Sequence, residues 1–379
     1  MKKQKTSILI PDGESHILIH VINCLSKVNE LNIYVMSNTK NNPLRYSRHI
    51  KKFTYYKKSD SDIDWINNIN KEVQNHNIDV VMPIFEVGIR ILIKHKEDIL
   101  LKNKLGLLPK LKDFDTAINK GKLAKHLYIN KIPGPKSLIL ESNKNLEKVI
   151  NLNFPTIIKP LEGFGGGIGI KKFKTFESLK NHYTNNNINY TTIVQEYIEG
   201  YDIDCSVLCR NGNILAFTIQ KGNMMGASEF TPQVGLSFLY QQELYNVVEK
   251  LMRSLDWSGV AHIDMRYDKN TKEYKVIEIN TRFWATLDAS LIANVNFPNL
   301  YCKASMGDTF KKPDYSHIEY LNLKGLIKRI KSDFKFIFEL KFILNNTPLI
   351  FALKDPLPMI YKFITRTKNN LISKFSKTP

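Results

Sequence analysis

Four polar side chains on one predicted hairpin carry the most specific chemistry in this chain of 379 residues: Asp264, Glu278, Asn280 and Arg282. Residues 276–282 alternate, and side chains two apart on a strand share a face. Glu278, Asn280 and Arg282 are therefore expected to point one way, with Ile277 and Ile279 entering a core. Residues 259–267 read as a second strand, with His262, Asp264 and Arg266 on one face. Asp268-Lys269-Asn270-Thr271 supplies the turn, and a hairpin through it sets Asp264 opposite Glu278. Two carboxylates and an amide oxygen form a hard-oxygen set of the kind Mg²⁺ takes, its remaining positions going to water and phosphate. An arginine beside them suits a phosphoryl group in transfer. Taken alone, the hairpin is equally a solvated polar face with Arg282 paired to Glu278.

Two upstream segments add to it. Residues 156–159 read as a short buried strand that delivers Lys159. Pro160 and a glycine-rich stretch with Gly163, Gly165, Gly166, Gly167 and Gly169 follow. Glycines let backbone N–H groups approach phosphate oxygens closely. The stretch is not a Walker A loop, because no Gly-Lys-Ser/Thr closes it. Nor is it a dinucleotide fingerprint, because a Lys-Pro and a loop separate it from its strand. Residues 170–173 complete a hairpin able to fold over a triphosphate, and Lys172 on it is expected to matter little beside Lys159. Residues 192–195 read as a strand running into a hinge at Glu196, Tyr197 and Ile198, whose backbone groups suit the edge of adenine. Asp202 is placed to accept from ribose hydroxyls. A lysine, a glycine cover, an adenine-edge segment and a carboxylate cluster, in that order, point to ATP with Mg²⁺, or Mn²⁺ in its place.

That order and spacing resemble the ATP-grasp superfamily of ligases over residues 5–310, most specifically over 115–300. Asn119-Lys120 resembles the position where these enzymes carry Asp-Lys, whose lysine contacts nucleotide phosphate; the aspartate is absent here, and Lys122 is a near rival. Ile132-Pro133-Gly134-Pro135 resembles the strand entry that follows. Asp264, Glu278 and Asn280 are similar to the metal ligands of D-alanine–D-alanine ligase. Arg282 resembles the arginine after the Glu-x-Asn motif of biotin carboxylase and carbamoyl-phosphate synthase. The resemblance implies catalytic roles for Arg282 and Lys159. It implies nucleotide contacts from Lys120, Lys159, Gly165, Gly166, Gly167, Glu196, Tyr197, Ile198 and Asp202, and a metal on Asp264, Glu278 and Asn280. It further implies a carboxylate activated as acyl phosphate and joined to an amine, the substrate being an amino acid, peptide or sugar acid. The competing reading is a nucleotide-binding regulatory or assembly protein that keeps the fold without ligase activity. No biotin-carrier motif, amidotransferase domain or second copy of the motifs accompanies them, which argues against complete carbamoyl-phosphate synthase or biotin carboxylase roles.

The elements that must hold these residues follow a mixed pattern. Residues 6–112 alternate strand (7–10, 32–37, 79–83) and helix (15–28, 62–75), as in an open parallel α/β domain. Loops after such strands, at residues 12–16, 45–48 and 85–86, either contact the acceptor or carboxylate or serve as scaffold. The expected organisation is an N-terminal α/β domain over 1–112, two ATP-grasp subdomains over 113–190 and 191–310, and a basic amphipathic extension over 311–379.

Composition constrains the setting. The formal charge is +19. Residues 311–379 hold 14 Lys/Arg against 5 Asp/Glu, interleaved with aromatic residues. Such a segment either packs one face on its parent domain, lies on an anionic membrane, or binds nucleic acid. No zinc finger or RNA-binding signature supports the last, so nucleic acid is not expected. No segment has the apolar core of a signal peptide, and no run approaches the roughly 18 apolar residues of a transmembrane helix. Cys24, Cys205, Cys209 and Cys302 lack zinc spacing and read as buried, reduced thiols. The expected location is cytoplasmic, extending to the inner membrane surface. The expected partners are small carboxylates and amines, with a homodimer allowed.

Overall fold

A computed structural model describes residues 5–99, 102–141, 143–161, 167, 169–186, 188 and 190–365. The chain divides into two compact units, one of residues 1–108, 283–311 and 326–379, the other of residues 109–282 and 312–325. Helices Leu287–Ile292 and Phe297–Ser305 thus pack with the N-terminal residues, whereas sequence places them with the second ATP-grasp subdomain.

The first unit is built on a parallel sheet of β1 (Thr6–Ile10), β2 (Leu31–Ser37), β3 (Ile50–Tyr55) and β4 (Val80–Val81), in the order β3-β2-β1-β4. Strand β3 escapes the sequence reading, because its burial is only partial and two lysines interrupt it. The helix expected over 15–28 is shorter, Leu18–Leu25, and β4 is two residues long. One side of the sheet packs Leu9, Tyr34, Met36 and Val81 against Ile66, Ile69 and Val73 of helix Asp62–His76. That helix is capped by Ser61 accepting from Asp64 N and ends at Asn77, which takes a left-handed conformation. His20 Nδ1 lies 2.7 Å from Asp288 Oδ2, tying helix Leu18–Leu25 to Leu287–Ile292.

The second unit holds two antiparallel sheets. The smaller contains β5 (Ser137–Leu140), β6 (Thr156–Pro160), β7 (Lys171–Phe173) and β8 (Thr192–Glu196), in the order β5-β8-β6-β7. Ile158 and Val194 enter a core with Leu146, Val149, Leu179 and Tyr183. By the two-residue alternation, Lys159 and Gln195 then face the opposite side of this sheet. The larger sheet contains β9 (Gly200–Arg210), β10 (Asn213–Met224), β11 (Gly235–Phe238), β12 (Gly259–Asp268), β13 (Glu273–Asn280) and β14 (Glu319–Leu321), in the order β13-β12-β9-β10-β11-β14.

The β12–β13 hairpin carries a correction. Asp264 pairs with Glu278, as expected, but Met265 pairs with Val276, leaving Ile277 as an extra residue on β13. This bulge resets the alternation. Val276 is fully buried while Ile277 is only half-buried, so the core side is Tyr274, Val276 and Ile279. Without the bulge, burying Val276 would turn Glu278 into the core as well.

Asp12 ties two loops of the first unit together. Its carboxylate is buried and accepts from the backbone N–H of Ile84 and Phe85. Burial pushes its pKa up to about 7, against the opposing pull of those two bonds. Its ordinary value is 3.8, so between roughly pH 4 and 7 the folded chain holds a proton that the unfolded chain has released. Stability from this group therefore falls as pH rises through that window and levels off above it. Asp12→Asn should gain in urea midpoint relative to wild type on going from pH 5 to pH 8; equal differences at the two pH values would exclude this origin.

Candidate active site

The site is built on the strand ends of the second unit. Asp264 of β12 and Glu278 of β13 face each other across the hairpin. Asn280 Nδ2 donates to Asp264 Oδ2 at 3.2 Å, and Arg282 donates to Asn280 Oδ1 at 3.1 Å. Arg282 therefore engages Asn280. Glu278 lies 3.5 Å from Lys120 Nζ. Lys120 is the first residue of helix Lys120–Ile129, whose start is capped by Asn119 Oδ1 accepting from Lys122 N. Asparagine caps a helix as well as aspartate does, so the missing aspartate costs the helix start little. Lys122 is exposed, while the Lys120 side chain is largely enclosed.

Lys159 is 3% exposed. Burial lowers its pKa to about 8; Glu278 and Asp264 pull it up, while Lys120 and Arg266 press it down. Lys120, Lys159, Asp264, Glu278, Asn280 and Arg282, which are spread over 163 positions of sequence, are thus gathered at one place.

Two further groups belong to this cluster. Asp204 of β9 is missing from the sequence reading, and His262 appears there only as a face-mate of Asp264. Oxygen and nitrogen atoms of Asp204, His262 and Asp264 all lie within 4.8 Å of one another. His262 Nε2 is 3.3 Å from Asp264, and its Nδ1 is 2.9 Å from Ser206 Oγ. Burial first, and then Arg282, lower the His262 pKa to about 3, which leaves the ring neutral. Burial together with Asp202 raises Asp204 to about 8. Burial, Asp204 and Glu278 hold the Asp264 carboxyl well above its usual range, with Arg282 and Asn280 opposing. Crowded carboxylates that resist ionisation are relieved by a cation, and the Asp204 and Asp264 donors are hard oxygens that suit Mg²⁺, with the neutral His262 ring beside them. The alternation Asp202, Asp204, Ser206 was available in sequence, but only the β9–β12 pairing brings it beside Asp264.

The segment expected at the adenine edge is held by Arg266. Its guanidinium donates to Ile198 O at 3.1 Å, Gly200 O at 3.1 Å, Asp202 Oδ1 at 2.5 Å and Tyr197 Oη at 3.4 Å. Asp202 also accepts from Gln233. The backbone N–H groups of Glu196 and Tyr197 bond Lys136 O and Pro155 O. Those two donors, expected at the adenine edge, are therefore used inside the protein. The Glu196 side chain accepts from Asn153 N, so it too is engaged within the protein. Gly200 approaches β12 so closely that a Cβ would stand 1.7 Å from Tyr267 O. Lys172, expected to be ordinary, sits 3.4 Å over the Tyr197 ring and pairs with Glu229, which accepts from the Tyr197 hydroxyl.

Strands β6 and β7 form the expected hairpin. Gly165 and Gly166 lie outside the described residues. Gly167 is described, with φ +78°, and a Cβ there would stand 2.1 Å from Phe230 O.

This strand order and constellation coincide with a known domain: residues 117–286 match the family model described as ATP-grasp domain. Residues 117–286 are an ATP-grasp domain by that match. The chain is 24% identical over 209 residues to D-aspartate ligase of Enterococcus faecium, covering 48% of this chain and 49% of that protein. It thus spans about half the length of that curated relative. Among solved structures, N5-carboxyaminoimidazole synthetase from Staphylococcus aureus complexed with ADP superposes with a TM-score of 0.67 at 14% identity, covering 87% of this chain and 88% of that one. The L-amino acid ligase from Bacillus licheniformis superposes with a TM-score of 0.58 at 16% identity, covering 81% and 75%. These structural likenesses establish that the ATP-grasp domain and its N-terminal α/β partner share a fold with those enzymes.

The Arg266 clamp makes a direct prediction. Arg266→Met should strand Asp202 and two backbone carbonyls, lowering stability by about 2–4 kcal/mol in urea unfolding. Arg266→Lys should recover less than half of the loss, because one ammonium cannot reach four acceptors spread along the segment. Full recovery by lysine would show that charge alone, and not the forked geometry, is what the segment needs.

Proposed function

We propose that this protein is an ATP- and Mg²⁺-dependent ligase that activates a carboxylate as an acyl phosphate and joins it to an amine. The observation that carries the reading is the convergence of buried Lys159, enclosed Lys120 and the Asp264–Glu278 pair in one ATP-grasp domain. On this reading Lys159 and Lys120 contact the nucleotide phosphates, and Gly165, Gly166 and Gly167 belong to the cover above them. Tyr197, Ile198 and Asp202 face the nucleoside, with Arg266 fixing their arrangement; Glu196 acts through the same hinge. Asp264, Glu278 and Asn280 would hold the metal, joined by Asp204 at the edge of the set.

The metal, when bound, supplies charge neutralisation on the phosphates. The substrate carboxylate attacks the γ-phosphorus and ADP leaves, giving the acyl phosphate. The amine then attacks the acyl carbon, phosphate leaves, and the nitrogen gives up a proton. Positioning and electrostatics do the work in such a transfer. Arg282, held through Asn280, neutralises the phosphoryl oxygens as charge shifts. A closed cover keeps water from the acyl phosphate. The D-aspartate ligase and L-amino acid ligase likenesses favour an amino acid as one substrate, with peptides and sugar acids in the same class. The proposed partners are thus a small carboxylate and a small amine.

A screen of carboxylate–amine pairs for ADP release, with mass spectrometry of the product, tests the reading. Glu278→Gln should lower turnover by at least about a hundredfold, while nucleotide affinity drops much less. Normal turnover in folded Glu278→Gln would remove the metal assignment, and ATP binding without ADP release for any pair would favour a regulatory nucleotide-binding protein. Lys159 should give a pH signature. Its proton is lost as pH rises through about 8, so ATP affinity measured by calorimetry should fall above that value. Lys159→Ala should weaken binding and flatten the dependence; an unchanged slope would assign it elsewhere.

A further inference from the structure

The C-terminal extension is anchored on one side and apolar on the other. Inward, Ile343, Thr347 and Phe351 are buried. Asp355 accepts from Ser47 Oγ and Arg48 N, and the Tyr361 ring lies 4.6 Å from that of Tyr46. These contacts fix which side of the extension faces the rest of its unit.

The outward side is the reverse of an ordinary surface helix. Residues 357–365 are helical. At 100° per residue, Met359, Phe363, Ile360, Ile364 and Leu357 follow one another around a continuous arc of about half the circumference. All five are exposed, Phe363 at 72%, whereas Pro358 is buried and Tyr361 half-buried on the other side. A water-facing helix places its polar residues outward. An earlier short helical segment, Phe334–Phe338, also exposes aromatic rings, with Phe334 at 71% and Phe338 at 75% exposed. Lysines stand among these residues: Lys331, Lys335, Lys341, Lys354 and Lys362 are exposed. Residues 326–365 carry seven Lys/Arg against three Asp/Glu. No described helix is long and apolar enough to cross a membrane.

We propose that residues 326–365 form a docking surface for an anionic lipid bilayer, with Phe334, Phe338 and Phe363 entering the headgroup–acyl boundary and the lysines meeting lipid phosphates. Interfacial helices bury an apolar face while basic residues contact anionic headgroups, each worth about 1 kcal/mol near the surface. A lipid surface fits better than a protein partner because the exposed apolar side chains come from two separate segments, 334–338 and 357–364, with lysines interleaved. That distribution suits a fluid, uniformly negative plane. The inference rests on residues separate from the ATP-grasp site, so it stands or falls independently of the ligase reading.

The experiment is flotation of the full chain with phosphatidylcholine vesicles and with vesicles containing phosphatidylglycerol. Binding should require the anionic lipid and weaken as salt is raised. The double variant Phe338→Ser, Phe363→Ser should lower vesicle partitioning by at least about tenfold. Both side chains are exposed, and the melting temperature is measured beside wild type so that a loss of folding is told apart from a loss of binding. Lys335→Glu with Lys362→Glu, a second variant at exposed positions, should also reduce binding. Absence of flotation with either vesicle overturns the proposal, as does flotation that the phenylalanine variant leaves unchanged. If wild type self-associates in sedimentation, fails to bind vesicles, and becomes monomeric in the phenylalanine variant, the face is instead an interface between copies of the chain.

Discussion

The crowding of carboxylates along one edge of the larger sheet is the constraint on which the site depends. Asp204, Asp264 and Glu278 come from three adjacent strands, β9, β12 and β13. Like charges so close and so enclosed repel, and the fold meets this with basic groups drawn from elsewhere. Lys120 arrives at the start of a helix, Lys159 on the other sheet, and Arg266 and Arg282 from the hairpin itself. Neither set is comfortable alone: Asp204 and Asp264 are pushed upward and Lys159 downward by the same burial. A divalent cation and a polyphosphate together would satisfy both sets, which is why the arrangement suits Mg-ATP better than either component alone.

Backbone irregularities are what aim these groups. The extra residue at Ile277 lets Val276 stay in the core while Glu278 reaches the polar side. Close approach at Gly200 brings the segment after β8 against β12, where Arg266 gathers its carbonyls. The same guanidinium holds Asp202, so the segment read as nucleoside-facing is organised before any nucleotide arrives. Pre-arranged donors and acceptors lower the cost of ordering on binding. Lys172, Tyr197 and Glu229 link strand β7 to the loop before β11.

The extension shows a different use of the same physical rule. Apolar residues elsewhere are sequestered, as in the Leu9–Val81 and Leu140–Val194 cores. Here the polar and aromatic contacts to Ser47, Arg48 and Tyr46 face inward and the phenylalanines face out. One face of the extension packs on its parent unit through Ile343, Phe351, Asp355 and Tyr361, while Phe334, Phe338 and Phe363 are left exposed. An enzyme held at a lipid surface would meet membrane-borne carboxylates or amines at high local concentration, a benefit of position and not of chemistry.

By itself the sequence determined the strand-borne motifs and their order. Alternation placed Glu278 with Asn280, turn residues closed the hairpin, and the strand before the glycine stretch singled out Lys159. These are local properties, set by periodicities of a few residues. It also determined the parallel α/β character of the first unit, because strands and helices alternate there. The tertiary structure decided what depends on partners distant in sequence. Asp204 became part of the site only through β9–β12 pairing, and Lys120 prevailed over Lys122 only through burial beside Glu278. The bulge at Ile277 was hidden because apolar residues at 276, 277 and 279 fit two registers equally well. The role of Arg266 was hidden for the same kind of reason: its four acceptors lie about 66 residues away, and hydrogen bonds across that separation leave no periodic trace in the chain.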